Sequence, residues 1–261
     1  MIPTIGARPP GASSEAQAAR WVERMFAGIA PRYDFINRLL SFNIDRSWRK
    51  TLLKELTPVL RCPDAKVLDL CCGTGDVLLD LKRVAAAQVL GADFCHPMLV
   101  IARDKAAQRG LAPQFFEADA LELPLAGNML DGIAISFGFR NLANYAAGLR
   151  EIERALKPGG ILAILEFSHP PDSLVKAAYG FYSRFLLPII GSLVSKSLGA
   201  YTYLPDSIRK FPKPVELRDM MRSAGFVDTK FELLTGGIAA LHVGAKSAAG
   251  RIRQCPIDFV P

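Results

Sequence analysis

Apolar residues change their spacing near residue 65. Over 15–61 they recur three and four positions apart, with Trp21, Met25 and Phe26 and later Ile36, Leu39 and Leu40, the period of amphipathic helices. No strand-like run precedes residue 65, so this stretch is expected to be an all-helical N-terminal cap. Beyond it, short apolar runs alternate with helical stretches: KVLDLCC (66–72), QVLGADF (88–94), QFFEADA (114–120), DGIAISF (131–137) and GGILAILEF (159–167). Such alternation predicts a parallel sheet with helices on both faces. PMLVIARDKAAQRG is the helix after the second run, with Gly110 as its C-cap.

The rhythm breaks over 170–213, an aromatic, Pro-punctuated stretch that reads as a helical insertion. It resumes with a helix from Pro214 and two closing strands, FVDTKFELL and IAALHVGAK. Only TGG joins these two, too short for a crossover, so they should form an antiparallel hairpin. The expected fold class is α/β, a seven-stranded sheet with its last strand antiparallel. Its parts are a disordered lead (1–14), the helical cap (15–61), a catalytic domain (62–246) carrying the insertion, and a tail (247–261).

Composition narrows the function. Half of the residues are apolar, 22% are charged and the net charge is +7, so nucleic acid, anionic lipid and anionic cofactors all remain open. The five cysteines are odd in number and form no C-x-x-C, which argues against a disulfide framework or zinc ribbon and for a reducing compartment. Cys71 and Cys72 read as small packed residues, and no metal site is expected. The N-terminus lacks the apolar core of a secretory signal. No stretch reaches the ~20 apolar residues of a membrane span; FLLPIIGSLV (185–194) is the nearest. The expected location is cytoplasmic.

VLDLCCGTGD (67–76) is a strand, a Gly-rich turn and a helix start, where Gly73 and Gly75 let backbone N–H groups approach a ligand. Asp93 closes the second strand, suited to both hydroxyls of a ribose. A dinucleotide fingerprint would carry a third Gly where Leu78 stands. Acids on either side of the turn, Asp69 and Asp76, would repel a pyrophosphate and attract a sulfonium bearing an α-amino group. Asp119 with Ala120 ends the third strand, placed for an adenine edge. Together these favour S-adenosylmethionine over NAD.

YDFINRLLSFNIDRSW (33–48), ISFGFRN (135–141), RALKPGGILAILEFS (154–168), YLPDSIRKFP (203–212) and GGIAALHVGAK (236–246) occur in this order. With them the chain resembles the ubiquinone/menaquinone biosynthesis C-methyltransferases, from about Met25 to Lys246. The resemblance implies a class I methyltransferase (Rossmann-like) fold, S-adenosylmethionine as methyl donor and a prenylated quinol as acceptor. By position it assigns Thr74, Asp93, Asp119, Ala120 and Ser136 to the donor. Ile36 and Asp45 stand where the first signature usually has Met and His, and Ala155 where the second usually has Val. CCGT and GADF are closer to the demethylmenaquinone branch than to the benzoquinol branch.

SFGF occupies the place where methyltransferases of exocyclic nitrogens carry Asn/Asp-Pro-Pro-aromatic, so no nucleic-acid substrate is expected. Carbon methylation needs a phenolate stabilised and its ortho carbon aligned with the methyl group. Arg140, just past a strand's carboxyl end, is the first candidate for that stabilisation, the alternative being a structural pair with a carboxylate. Asn141 would orient the second oxygen. Among the three histidines, His96 reads as a cap or surface residue, His242 as a satisfied core group, and His169 as a weak candidate general base. Tyr33, Asp34 and Asn37, with Tyr201 and Tyr203, are expected to line the acceptor pocket. Residues 179–203, edged by Lys176, Arg184 and Lys196, suggest a prenyl-tail channel that docks peripherally on the inner face of an anionic membrane, or else a homodimer interface. The competing functions are the benzoquinol step of ubiquinone synthesis, an NAD-dependent oxidoreductase and a non-catalytic quinone carrier.

Overall fold

The computed structural model of the chain describes residues 6–41, 43–171 and 198–248. The cap comprises α1 (Glu15–Ile29), α2 (Tyr33–Ser41) and α3 (Asp45–Leu60), with a 3-10 turn over Ala30–Arg32. Ser14 caps α1 by accepting from the Gln17 amide at 3.2 Å, satisfying one donor left free at a helix start. The chain then alternates through β1 (Lys66–Leu70), α4 (Asp76–Val84), β2 (Gln88–Asp93), α5 (His96–Gln108), β3 (Gln114–Glu117), β4 (Leu130–Ser136), α6 (Tyr145–Ala155) and β5 (Leu156–Phe167). It closes with α7 (Leu198–Lys210), α8 (Pro214–Ser223), β6 (Phe226–Leu234) and β7 (Ala239–Lys246). Gly110 follows α5 at φ +66°, a left-handed exit that suits Gly.

The sheet order is β3-β2-β1-β4-β5-β7-β6. The first five strands are parallel, and β7 runs antiparallel to both β5 and β6. The α/β fold, its reversed last strand and the closing hairpin are as expected. Side chains along each strand divide between two cores. Leu68, Ile133, Leu162 and Ile164 face a core closed by Leu149 and Ile152 of α6 and by Leu217 and Met221 of α8. Val67, Ala134, Ala163 and Leu165 face another, closed by Trp48, Leu52 and Leu56 of α3 and by Leu78 and Leu81 of α4. Burial on both faces explains why these strands read as continuous apolar runs.

Two expectations differ in detail. β5 begins at Leu156 rather than 159, because Leu156 pairs with Leu130 across a register shift. Part of the lead expected to be disordered is held by the body: the Ala7 amide donates to Leu142 O at 2.8 Å, and Arg8 donates to Ala143 O at 3.0 Å. Residues 1–5, 42, 172–197 and 249–261 lie outside the described residues, and with them the aromatic run Tyr179–Phe185 and the proposed charged edge of the insertion.

Candidate functional site

The carboxyl ends of β1, β2 and β4 open into one pocket, roofed by Ala19, Phe26 and Tyr33 of the cap. The opening lies where β1 has β2 on one side and β4 on the other, the topological switch point at which open α/β sheets bind ligands. Its rim is built from backbone that most residues avoid. Cys71 (φ +58°) and Phe137 (φ +57°) each leave a strand end in the left-handed region, an arrangement that costs energy and clusters at functional sites. Gly73 (φ +54°) and Gly75 (φ +82°) complete the turn without that cost. Gly138 is required for another reason: a Cβ there would stand 2.4 Å from the Cys71 Cβ, so the ends of β1 and β4 can meet only without it.

Gly73, Asp93, Asp119, Ala120, Ser136, Asn141 and Tyr33 are the expected site residues that line this pocket. Asp93 is buried, and its carboxylate accepts from the Gly73 amide at 2.8 Å and the Cys95 amide at 2.9 Å. Burial pushes its pKa up to about 6 against the pull of these amides. Asp119 Oδ1 accepts from the Leu121 amide at 2.9 Å. Ser136 Oγ is buried without a partner among the described residues, a polar atom waiting for one.

The other expected residues stand behind the walls. The Asp69 carboxyl is engaged by the Leu78 amide, and burial drives its pKa well above the ordinary range. It therefore secures the start of α4 rather than offering a charge to the pocket. Thr74 Oγ1 donates to Asp34 Oδ1 at 2.5 Å, so neither side chain is turned to a ligand. Asp76, expected to attract a cationic ligand, already holds Lys105 at 2.6 Å and Arg49 at 2.9 Å. Gly75 caps α4 against Ala102. Exposed Asn37 bonds the side chain of Tyr33, whose hydroxyl burial pushes up.

Arg140 has found the carboxylate that its desolvation demands. Its Nη1 lies 3.0 Å from Glu166 Oε1, its backbone amide donates to Glu166 Oε2 at 3.1 Å, Nη1 also donates to Phe137 O, and Cζ stands 5.5 Å above the Phe167 ring. Glu166 raises the guanidinium pKa despite complete burial, while burial raises that of Glu166. The pair holds the 137–141 turn and leaves Asn141, not Arg140, on the pocket wall. Tyr203, expected to face the acceptor, instead donates to Asn141 Oδ1 at 3.2 Å and packs against Trp21. The side chain of Tyr201 is outside the described residues.

No histidine lines the pocket. His169 turns its Nε2 to Arg209 O at 3.4 Å. His96 pairs with Glu117 at the surface, and His242 bonds Pro214 O in the core. Cys71, Cys72 and Cys95 are free thiols with pKa values raised by burial, unlike the depressed values of reactive cysteines. Among the described residues no cluster could hold a metal ion, and no helix is long and apolar enough to cross a membrane.

A pocket with a buried carboxylate (Asp93), a second acid (Asp119) and an unpartnered hydroxyl (Ser136) near successive strand ends offers polar groups to an adenosyl cofactor, and Leu78 in place of a third Gly argues against a dinucleotide. The family model of the ubiE/COQ5 methyltransferase family matches residues 13–246. The chain belongs to that family. The demethylmenaquinone methyltransferase of Thermus thermophilus is 49% identical over 84% of this chain and 99% of its own length. The ubiquinone/menaquinone biosynthesis C-methyltransferase of Geobacter sulfurreducens is 42% identical over 86% of this chain and 88% of its own. A solved S-adenosylmethionine-dependent methyltransferase from Aquifex aeolicus superposes with a TM-score of 0.59 at 19% identity, covering 84% of this chain and 97% of that one; it shares the fold. As a ubiE/COQ5 methyltransferase the chain uses S-adenosylmethionine for C-methylation in quinone biosynthesis, and the oxidoreductase and carrier readings fall away.

We propose that Ser136 Oγ, the Asp93 carboxylate and the Asp119–Ala120 segment, which line the pocket, hold this donor. The lining residues missed by sequence reasoning are mostly apolar, among them Phe26, Phe94, Met98, Phe137 and Leu142. No residue type marks them out, since each could equally belong to a core.

Proposed function

We propose that the chain methylates a ring carbon of demethylmenaquinol, a prenylated naphthoquinol. The observation that carries this reading is the chemistry of the acceptor wall. Beside the apolar Phe137, Leu142 and Phe26 it presents the neutral amide of Asn141 and the phenol of Tyr33. Such a wall suits a flat aromatic ring with hydroxyls, and it lacks the polar trap that an amine substrate requires.

S-Adenosylmethionine, when bound, supplies an electrophilic methyl on sulfur and leaves as the thioether. The chain has to present the ring carbon. Loss of the proton from one quinol hydroxyl places negative charge on that oxygen and on the adjacent carbon. The carbon bonds to the methyl as the bond from that methyl to sulfur breaks. It then gives up its own hydrogen as a proton while the ring oxygen takes one back, so the aromatic quinol is restored and one proton in all passes to solvent. Asn141 Oδ1 is occupied by Tyr203 and Nδ2 is only loosely engaged with Phe137 O at 3.5 Å, so an N–H remains for the phenolate oxygen. Arg140 precedes Asn141 in the same turn and is paired with Glu166; we assign it to holding the Asn141 amide in place rather than to direct contact with the acceptor. The apolar lining excludes water, which strengthens these interactions.

Transfer of labelled methyl to demethylmenaquinol and to the corresponding benzoquinol tests the assignment. Label in the naphthoquinol product, with the benzoquinol slower, is the expected result. Bound cofactor with no label in either acceptor overturns it. We also propose peripheral contact with the inner face of an anionic membrane, supported by the net charge of +7 and by Phe35, 60% exposed on α2 two residues from the pocket roof. Flotation with acidic but not neutral liposomes is expected; no flotation with either, together with a dimeric mass, would assign the apolar surface to a homodimer.

A further inference from the structure

The cap and the cofactor half meet through charges that the methyl transfer does not use. Lys105 Nζ, from α5, lies 2.7 Å from Asp34 Oδ2 of α2 and 2.6 Å from Asp76 Oδ1 at the start of α4. It also donates to Thr74 Oγ1 at 3.3 Å. Arg49 of α3 continues the chain, 2.9 Å from Asp76, 3.4 Å from Asp45 and 3.6 Å from Asp80. The side chains of Lys105 and Arg49 are only 15% and 12% exposed, so solvent screens the network less than it would at a surface.

Four carboxylates here share two cations. Asp34 and Asp76 are held together by a single ammonium, and without it two like charges would face each other at close range. Asp34 directly follows Tyr33, whose ring lies 3.9 Å from the position of a Cβ on Gly73 and forms part of the pocket roof. Thus the ammonium fixes α2, and α2 fixes the roof.

We propose that Lys105 is a positioning residue that latches the cap onto the cofactor site, so that the donor enters and its demethylated product leaves when Asp34 is released. The inference rests on the cofactor assignment and not on the identity of the acceptor, because every readout below except turnover is binding of S-adenosylhomocysteine.

Lys105→Met in the full chain is expected to weaken S-adenosylhomocysteine binding about tenfold and to speed its dissociation, with kcat at saturating donor changed less than about threefold. Asp34→Asn/Lys105→Met removes the repulsion as well as the cation, and should recover affinity to within about threefold of the parent chain. A merely structural lysine would show no such recovery. Lys105→Arg, which keeps the charge, should bind nearly as the parent does. Asp34→Asn alone, which leaves Lys105 paired with Asp76, tests the latch even if Lys105→Met fails to fold, and should speed dissociation about threefold. Calorimetry and stopped-flow fluorescence give these values. Parent-like binding and dissociation in Lys105→Met, a double variant no better than the single, or an unchanged dissociation rate in Asp34→Asn would each overturn the proposal.

Discussion

Tyr203 Oη donates to Asn141 Oδ1 at 3.2 Å, and both side chains are buried. The phenol comes from α7 and the amide from the turn after β4, so a distant helix sets the orientation of an amide on the pocket wall. Burial raises the Tyr203 pKa to about 12, which keeps the hydroxyl a donor at any working pH.

Tyr203→Phe should therefore lower kcat about fivefold through one lost hydrogen bond, with the Kd for S-adenosylhomocysteine unchanged. Asn141→Ala removes the donor itself and should cost about a hundredfold. Steady-state kinetics beside calorimetry separate the two. Equal loss of binding and turnover would place Asn141 on the donor instead.

Glu166→Gln strands the buried Arg140 charge, and breaking such a pair costs about 3–5 kcal/mol. Replacing both residues with apolar ones, Arg140→Met/Glu166→Leu, should restore part of that stability while turnover stays low. Urea unfolding with activity measured in parallel checks both halves.

The Asp93 carboxyl gives opposite signs for stability and binding. Its folded pKa, about 6, lies above the ordinary carboxylate value of about 3.9. Its contribution to the stability of the cofactor-free protein is therefore complete below about pH 4 and is lost as pH rises through 6. Binding of ribose hydroxyls needs the charged form, so the Kd for S-adenosylhomocysteine should rise up to about tenfold per pH unit below 6 and level off above it. Asp93→Asn should flatten that profile.

His242 behaves in the reverse sense. Burial lowers its pKa to about 4, so its stabilisation is present above the ordinary value of about 6.5 and is lost as pH falls toward 4. His242→Phe, beside Phe231 at a ring distance of 5.6 Å, should soften acid unfolding by at most ~3 kcal/mol. His169→Ala should leave neutral-pH turnover within about threefold, since its ring meets α7 rather than the pocket. A large fall in kcat would restore His169 as the proton acceptor.

The central strands β1, β4 and β5 were legible because they are largely buried and read as apolar runs, while the edge strand β3 showed itself only by its two phenylalanines. The reversed last strand was legible from the shortness of TGG. Within the site, Gly73, Asp93, Asp119 and Ser136 could be located because each ends a strand or opens the turn, and strand ends are where this fold places ligands. What could not be read was which way a polar side chain turns when a partner arrives from elsewhere in the sequence. Thr74 is claimed by Asp34 of the cap, Arg140 by Glu166 of β5, and Asn141 by Tyr203 of α7. Glu166 looks like any acid near a strand end; its meaning depends on the pairing of Ser136 with Leu165 across neighbouring strands.

The reversed strand has a cost during synthesis. Ile161 of β5 finds its sheet neighbour in Ala245 and Phe167 in Ala239, so the edge of β5 stays unpaired until almost all of the described chain has left the ribosome. Meanwhile that edge offers a run of free backbone donors and acceptors beside Leu162, Ile164 and Leu165, a template on which a second nascent chain can add. A chain stopped at Gly237 would retain the residues that line the pocket and yet carry this open edge for good, so loss of its final strand should appear as aggregation before any loss of chemistry.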